Sequence, residues 1–418
     1  MEKPILALVP SAEKSLKVYS VLPVNGDGDF ELRRNGAANR INKDGLIEFV
    51  LGSNNPRLNW SSECPSLLLE GTSTNLQIRS EEFDNAAWGK TRITVTANDT
   101  ISPDGTESAD KVECNSTGSA FLTDAIGIGS TDDITFSTFI KSGNAQYCSV
   151  GFYDLGFGSS YRVVFDLHNE AITYELVQGS VFTNTSVSFE KYSNGWFRIC
   201  TSALSTGTTN IRNYIYPVTN GATSFTATQG QYNYIWGAQA ELKKFCSSYI
   251  KTEGSIATRN KETRVATGLY GDPEFNKNEG VAFIDVKPFP VDASDTSGNI
   301  ISLRGGSYSL MFFRFRTNNV LEFYAHDAPA GSAIFDYDLA HNGGRIKAAI
   351  RWNNGNYSIF ANGQLLNSYL NTSRFFTDLE TFQFQQSYSF NEFEGEVYEI
   401  QVFDEALDNN EIAKLTEL

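Results

Sequence analysis

The sequence predicts an all-β protein built from tandem β-sandwiches, and three observations lead to this fold class. Aromatic residues make up 13% of the 418 residues, with 30 Phe and 19 Tyr, and flat rings favour the pleated surface of a strand. Short runs that alternate apolar and polar residues follow one another, separated by clusters of Gly, Asn, Asp and Ser. Helical periodicity is nearly absent before the last dozen residues.

The chain is too long for one ordinary domain. Composition and pattern divide it into three regions, 1–63, 64–265 and 266–418. The first has short strands and Asn/Gly turns but too few apolar residues for a core of its own, so we expect it to pack on a neighbour or on a partner chain. We call it an attachment segment.

The middle region holds most of the strand-like runs. In ITFSTFIKS, alternation predicts that Ile134 and Phe136 face one way while Thr135 and Phe139 face the other. Asn194-Gly195 predicts a tight turn just before the next strand. The tryptophans Trp88, Trp196 and Trp352 are predicted to be core residues.

The third region has the same alternation and ends in LDNNEIAKLTEL. Asp408 can cap a short helix there, with Glu411 in capping-box register and Ile412 facing a sheet. This region has strands enough that we expect it to fold without residues 1–60.

Charge and hydropathy exclude several functions. The formal net charge is −16, so a phosphate backbone would be repelled and nucleic-acid binding is disfavoured. No apolar run approaches a membrane span. The run from Ile5 to Val9 is too short for a signal peptide, so we expect synthesis in a cytoplasm and exit by lysis inside a particle.

Five cysteines are scattered without a CxxC pair. This spacing predicts neither a disulfide framework nor a zinc site. Three of them, Cys114, Cys148 and Cys200, lie in strand-like runs, where cysteine is commonly a small buried hydrophobe.

Catalytic signatures are missing from the sequence. The three histidines lack HExxH spacing, and neither a GxSxG elbow nor a phosphate-binding glycine loop occurs. Glycosidases need two carboxylates in one cleft, yet Glu396 and Glu399 would face opposite sides of a regular strand. We therefore expect no enzymatic activity. The alternative is a catalytic pair made of carboxylates from two different strands, which sequence spacing does not test.

Metal sites have two oxygen-rich candidates. Asn25-Gly-Asp27-Gly-Asp29 departs from a calcium loop in lacking its glycine and its final glutamate, so an ordinary turn is favoured. Asp292 and Asp295, in DASDTSGN, are the second calcium candidates. No other cofactor is predicted.

Exposed aromatic side chains on a sheet can stack on sugar rings. Tyr214 and Tyr216 share one face of their strand, as do Tyr232 and Tyr234, and these four are the predicted glycan-binding residues. Tyr153 and Tyr161 are further candidates. The alternative places such rings in the core or at a trimer interface, and the sequence favours that alternative.

Several long blocks resemble known families. The N-terminal block LALVPSAEKSLKVYSVLPVNGDGDFELRRNGAANRINKDGLIE resembles one common in bacteriophage head fibre, tail fibre and structural proteins, although Asn39 stands where those proteins more often have Thr. The pieces SEEFDNAAWGK, FSTFIKSG and YIWGAQAELKKF resemble a carbohydrate-binding-type jelly roll of phage fibres. The third region, with RWNNGNYSIFANGQLL and FEGEVYEIQVFDEAL, is similar to laminin-G and concanavalin A-like sandwiches.

These resemblances imply a structural protein of a phage virion: a head fibre, a capsid decoration or a tail fibre, with host-surface glycans as its candidate ligands. They imply a homo-oligomer, a trimer in most such fibres, bound to other virion proteins through residues 1–60, with the C-terminal sandwich outward. The alternative is a free-standing glycan-binding protein, followed by a glycoside hydrolase.

Overall fold

The computed structural model describes residue 4 and residues 6–10, 31–50, 55–268, 278–291, 298–305, 310–326, 333–370, 376, 379–387 and 390–418. Strands dominate these residues. The helical elements with assigned bounds are a 3-10 turn at Ser193–Gly195 and one α-helix, α1, at Asn409–Leu415. The predicted all-β fold class is confirmed.

In chain order the strands are β1 Leu6–Leu8, β2 Glu31–Arg33, β3 Ala38–Ile41, β4 Ile47–Val50, β5 Leu58–Asn59, β6 Ser66–Leu69, β7 Ser73–Asn75, β8 Gly89–Thr91, β9 Ile93–Ile101, β10 Glu107–Cys114, β11 Phe121–Gly127, β12 Thr131–Ser142, β13 Tyr147–Asp154, β14 Ser160–Asp166, β15 Ala171–Gln178, β16 Phe182–Lys191, β17 Trp196–Thr206, β18 Asn210–Thr219, β19 Tyr232–Glu241, β20 Ala257–Arg259, β21 Thr263–Gly268, β22 Glu279–Pro288, β23 Asn299–Gly305, β24 Leu310–Arg316, β25 Val320–His326, β26 Ala333–Ala340, β27 Ile346–Asn353, β28 Asn356–Ala361, β29 Gln364–Leu370, β30 Leu379–Gln383, β31 Gln385–Ser387, β32 Phe390–Glu392 and β33 Gly395–Phe403.

The chain forms two compact units. One consists of Ile41–Phe49 and Thr72–Arg259 and is a jelly roll. The other consists of Met1–Arg40, Val50–Gly71 and Asn260–Leu418 and is a second β-sandwich. Each unit therefore draws on more than one stretch of sequence, and neither coincides with a predicted region.

Two six-stranded antiparallel sheets build the jelly roll. The front sheet has the order β15-β14-β13-β18-β11-β8, and the back sheet has the order β16-β17-β12-β19-β10-β9. Their inner faces share one core, to which the back sheet contributes Phe136 and Ile199 and the front sheet Phe152 and Ile215, all fully buried. Each such side chain contributes about 1.5–3 kcal/mol when it leaves water.

Local predictions within the jelly roll are confirmed. Ile134 and Phe136 lie in the core between the sheets, whereas Phe139 packs in a separate cluster on the outer side of the back sheet. Asn194 and Gly195 both have positive φ, at 60° and 79°, as a tight turn before a strand requires. Trp88, in the first core, is buried, as predicted.

The second sandwich pairs an eight-stranded with a seven-stranded sheet. The first has the order β29-β28-β27-β22-β33-β6-β5, with β1 also paired to β33, and the second has the order β2-β21-β30-β23-β24-β25-β26. Its core includes Ile284, Phe313 and Trp352. The capping box of α1 is present as predicted, because Asp408 accepts from the backbone N–H groups of Asn410 and Glu411.

The N-terminal strands are structural parts of this second sandwich. Strand β1 pairs with β33 from Leu6 to Leu8, and β6 pairs with the start of β33. Leu6, Leu8 and Leu58 are fully buried in its core. The structure therefore contradicts the expectation that this sandwich is complete without residues 1–60, because chain-end strands complete its sheet.

A buried ion network also ties the early residues to this sandwich. The Arg57 guanidinium lies 2.6 Å from both Glu70 Oε2 and Glu262 Oε1, and Arg34 Nη1 lies 3.0 Å from Glu262. All four side chains are almost fully buried. Removing one partner from such a network leaves an uncompensated charge and typically costs about 3–5 kcal/mol.

One cysteine prediction is wrong. Cys200, on the outer side of β17, forms a disulfide with Cys246, which lies after β19 and 46 residues further along the chain. Sequence spacing could not show this pair, because the fold brings their Cα atoms within 6.3 Å. Cys114 and Cys148 are buried free thiols, as predicted, and burial raises the pKa of Cys148.

Candidate functional site

The candidate site is the outer face of the front sheet. Alternate residues of β11, β13, β14 and β18 point into the core, as Leu122, Val150, Val163 and Ile215 do, so the intervening residues point outward. We define the front face by these outward residues and two loop aromatics: Phe121, Ser149, Gly151, Tyr153, Phe157, Ser160, Arg162, Tyr174, Arg212, Tyr214, Tyr216 and Phe225.

Strand register places the members of the front face in rows. Gly151, on the central strand β13, pairs with Arg162 of β14 and with Tyr214 of β18. In the next row Tyr153 pairs with Ser160 and Arg212. Because Gly151 has no side chain, the ring of Tyr153 lies close to Tyr214, with 4.5 Å between ring centroids.

Aromatic rings form a continuous layer over the sheet. Tyr214 and Tyr216 are stacked at 6.0 Å with an interplanar angle of 22°. Phe121 packs against Tyr214 at 4.9 Å, and Phe225 packs against Tyr216 at 5.7 Å. The predicted pair Tyr214 and Tyr216 therefore lies on an outer face, but each ring is only 5% exposed because its neighbours cover it.

Other side chains of the front face are exposed to solvent. Phe157, in the loop after β13, is 53% exposed, and Tyr153, Arg162 and Arg212 are half-buried. These residues, more than the two buried tyrosines, are the ones that a ligand would meet first.

Two arginines lie among the rings. The guanidinium of Arg162 lies 4.0 Å from the ring centroid of Phe225 and 4.9 Å from that of Tyr153, and the guanidinium of Arg212 lies 5.6 Å from that of Phe157. In the described part of the chain, neither arginine forms an ion pair with a carboxylate, and the buried Nε of each makes no hydrogen bond.

Two serine hydroxyl groups on this face also lack hydrogen-bond partners. Ser149 is fully buried and Ser160 is 1% exposed, and the Oγ of each has no hydrogen-bond partner among the described residues. A buried polar group without a partner costs about 1–3 kcal/mol. The front face thus holds several donors and acceptors that an incoming hydroxyl or carboxyl group could satisfy after small side-chain movements.

The buried phenols of Tyr214 and Tyr216 have raised pKa values. Burial raises the pKa of Tyr216, helped by its contact with the Tyr153 hydroxyl at 3.4 Å, while the nearby Arg162 acts in the opposite direction. Burial likewise raises the pKa of Tyr214. The phenol groups therefore act as hydrogen-bond donors and acceptors and not as charges.

The second predicted pair lies elsewhere. Tyr232 and Tyr234 are on β19 in the back sheet, half-buried, with Lys111 4.3 Å from the Tyr232 ring centroid. The outer faces of the front and back sheets lie on opposite sides of the shared core. The four predicted tyrosines therefore cannot form one site. Tyr161, a further candidate on the front sheet, points into the core, where its hydroxyl donates to Glu175 at 2.8 Å.

A second layer covers part of the back sheet's outer side, which we call the back face. Phe139, Trp196 and Trp236 pack there against Ile47 from the segment 41–49 and against Tyr249 from the segment after β19. The indole N–H of Trp236 donates to Ser108 Oγ at 3.1 Å. The back face is therefore built as a second small core.

Sequence reasoning missed the arginines and phenylalanines of the front face. Arg162 in YRVVFD and Arg212 in IRNYIY alternate with core residues at the same spacing as the tyrosines, so the pattern did place them outward. The signal that was lacking is the lateral register, which brings β14 and β18 to either side of β13.

The second sandwich has a polar cleft with a volume of ≈420 Å³. Arg351 lies in it, and its guanidinium already donates to Leu407 O at 3.0 Å and to Ser358 Oγ at 2.9 Å. The carboxylate of Glu396 accepts hydrogen bonds from Asn59 at 3.0 Å and from Ser61 at 2.7 Å, which is a structural role.

Metal and membrane features can be stated for part of the chain. Within the residues that the structure describes, no three His, Cys, Asp or Glu side chains cluster as a metal site. The calcium candidates Asp292 and Asp295, and the turn from Asn25 to Asp29, lie outside these residues. No helix in the described ranges is long and apolar enough to cross a membrane.

Comparisons with known proteins give the following. No protein-family model and no curated protein matches the chain. Among solved structures, it is similar to the CBM40 of the Ruminococcus gnavus IT-sialidase bound to α2,3-sialyllactose, with 14% identity over 36% of this chain and 92% of that one, at a TM-score of 0.29.

Two other similar structures are domain 4 of AbnA, an arabinanase from Geobacillus stearothermophilus in complex with arabinotriose, and domains LG4-5 of the mouse laminin α1 chain. The first has 15% identity over 41% of this chain and 81% of that one, at a TM-score of 0.30. The second has 10% identity over 70% and 89%, at a TM-score of 0.24. Function is therefore argued from the residues of this chain.

Proposed function

We propose that this protein is a non-enzymatic carbohydrate-binding protein, and that the front face of its jelly roll is the binding site. The observation that carries the proposal is the coincidence, on one sheet, of a continuous aromatic layer with unmatched polar groups. Sugar rings present C–H faces that pack on aromatic rings and hydroxyl groups that need hydrogen-bond partners. The front face offers both kinds of contact.

The residues divide into two roles under this proposal. Tyr153 and Phe157, which reach solvent, stack against the ligand, while Tyr214 and Tyr216 beneath them hold these rings in place. Ser149, Ser160 and the two arginines supply polar contacts. The buried tyrosines predicted from the sequence thus support the site, and the partly exposed rings beside them contact the sugar.

We also propose that the protein acts on a bacteriophage particle as a head fibre, capsid decoration or tail fibre subunit. The resemblance of the N-terminal block to phage virion proteins supports this setting, and it implies a homotrimer bound to other virion proteins. A free-standing glycan-binding protein would use the same front face. Mass spectrometry of purified particles tests the setting, and absence of the chain from them would contradict it.

Binding of the full-length chain to a glycan array tests the site. We expect selective retention of some glycans, and Tyr153→Ala should lower their affinity at least about tenfold, which corresponds to about 1.4 kcal/mol. Tyr232→Ala is the matched control, because it removes another half-buried tyrosine from the back sheet, and it should change affinity less than twofold.

Two results would overturn this assignment. The chain could retain no glycan at all, or Tyr232→Ala could abolish binding while Tyr153→Ala leaves it intact. The absence of enzymatic activity is tested separately, by incubating each retained glycan with the protein and measuring products by mass spectrometry. Turnover that disappears when a single carboxylate is replaced would contradict it.

A further inference from the structure

The front face is positively charged at its centre, whereas the chain as a whole is negatively charged. The whole protein has a net charge of −16, yet the two ionised side chains among the central rings are both arginines. Arginines that form ion pairs elsewhere in the described residues include Arg34, Arg57, Arg79, Arg314, Arg316 and Arg345. Arg314 and Arg345 lie over aromatic rings as well, but each also has a carboxylate. In the same described residues, Arg198 and Arg351 lie over rings without an ion pair, and their guanidinium groups donate to backbone carbonyl groups. Arg162 and Arg212 lie over rings, have no carboxylate among the residues that the structure describes, and each has a buried Nε without a hydrogen bond.

From this contrast we propose that the ligand of the front face is an acidic glycan, and that Arg162 and Arg212 bind its carboxylate groups. The inference rests on the proposed function and names the class of sugar that the site selects. A guanidinium matches the planar carboxylate with two parallel N–H donors, which makes arginine suited to this group.

The strand register gives the spacing of the two cations. Arg162 lies on β14 opposite Gly151, and Arg212 lies on β18 opposite Tyr153. Their backbones are therefore two strand spacings apart across the sheet, about 10 Å, and two residues apart along it, about 7 Å. The Tyr153 ring lies near the Arg162 guanidinium and above the central strand. An acidic sugar can therefore pack on Tyr153 and place its carboxylate against one arginine, while a second acidic unit of the same chain meets the other.

The polar groups of the front face that lack hydrogen-bond partners also favour an acidic glycan as the ligand. Each arginine keeps one buried N–H donor without an acceptor, and no carboxylate of the described chain is bound to either guanidinium. A ligand that supplies anionic oxygen atoms would satisfy donors that the protein leaves open. The adjoining hydroxyl groups of Ser149 and Ser160 suit the neutral hydroxyls of the same sugar.

A glycan array that includes neutral, carboxylated and sulfated oligosaccharides tests this inference with the full-length protein. We expect the retained glycans to carry carboxylates, such as oligogalacturonates or sialylated lactose. Chemical reduction of those carboxyl groups to alcohols should lower affinity at least about tenfold. Because the interaction is ionic and partly exposed, affinity should also fall as NaCl rises from 50 to about 500 mM.

Variants locate the effect. Arg162→Gln and Arg212→Gln should each lower affinity for the retained carboxylated glycan at least about tenfold and lower affinity for its reduced form by a clearly smaller factor. Lys111→Gln is the matched control, because Lys111 also lies over a tyrosine ring but on the back sheet. It should change neither affinity. Two arginine variants and the reduced ligand keep the test valid if one variant fails to fold.

The outcomes separate this inference from the proposed function. If neutral glycans bind best and Tyr153→Ala abolishes that binding, the front face is a glycan site and the acidic class is wrong. Preference for sulfated over carboxylated glycans would also overturn the carboxylate assignment. If nothing on the array binds, both proposals fail.

Discussion

The front and back faces of the jelly roll are built from the same kinds of residue but differ in how their polar groups are satisfied. On the back face, Trp196 donates to Ile101 O at 3.0 Å, and Tyr249 donates to Ser80 and Glu81 at 2.8 and 2.9 Å. On the front face, the buried hydroxyls of Ser149 and Ser160 have no partner among the described residues.

Segments of the same chain, which carry Ile47 and Tyr249, cover the back face. Arg198 there donates to Ser247 O and, through two nitrogens, to Ser137 Oγ. On this face the buried Oγ1 of Thr135 has no hydrogen-bond partner among the described residues. The two faces therefore have similar aromatic content and differ in how fully their buried donors and acceptors are paired.

Truncation of a back-face tryptophan should have the largest effect on stability. Trp236 is 1% exposed and packs on Tyr249 at 4.6 Å, so Trp236→Ala should lower the free energy of unfolding by about 3–5 kcal/mol. Phe157→Ala, on the front face, should change it by less than about 0.5 kcal/mol. Guanidinium denaturation measures both, and similar losses would remove the distinction between the faces.

Loss of the disulfide should have the next largest effect. The Cys200–Cys246 bond holds the segment that carries Tyr249 over the back face. Cys246→Ser should lower the free energy of unfolding by about 2–4 kcal/mol and leave glycan affinity unchanged. Cys114→Ser, at a buried free thiol, is the control for replacing a cysteine. A loss of glycan binding in Cys246→Ser would show that the two faces are coupled.

A smaller effect should appear as pH dependence in the back sheet. Burial raises the pKa of Asp110 to about 6, opposed by hydrogen bonds from the backbone N–H groups of Asn98 and Phe83. Because this pKa lies above the ordinary value of 3.8, the folded state binds the proton more tightly. The stability contribution of Asp110 is therefore greatest at about pH 4 and below, and it is lost as pH rises through 6.

The difference should be about 2–3 kcal/mol between pH 4 and pH 7. In Asp110→Asn this part of the pH dependence should disappear, while Asp99→Asn, at an exposed position on the neighbouring strand β9, should keep it. Thermal unfolding at several pH values measures the effect. An unchanged pH profile in Asp110→Asn would show that its carboxyl group is not the source.

Much of the fold could be predicted from the sequence, because the relevant information is local. Alternation in β12 separates Phe136 from Phe139, the Asn194-Gly195 turn needs positive φ at both residues, and Asp408 caps α1 through its own neighbours. Each of these depends on residues within a few positions of each other.

The remaining features depend on contacts between distant residues. Nothing near Leu6 or Leu8 shows that β1 completes a sheet with β33, almost 400 residues away. Likewise the period of two residues places Tyr214 and Tyr232 equally well on outer faces. Only the tertiary structure shows which of them lies beside Arg162 and Arg212 and which lies on the sheet that other segments cover.

Hydrogen–deuterium exchange of the full-length protein, with and without a saturating glycan retained on the array, tests the central claim most directly. We expect slower exchange in β13, β14 and β18 and in the loop that carries Phe157, with no change in β12, β17 and β19 of the back sheet. Protection confined to the back sheet, or to the strands around Arg351 in the second sandwich, would contradict the assignment of the front face as the glycan-binding site.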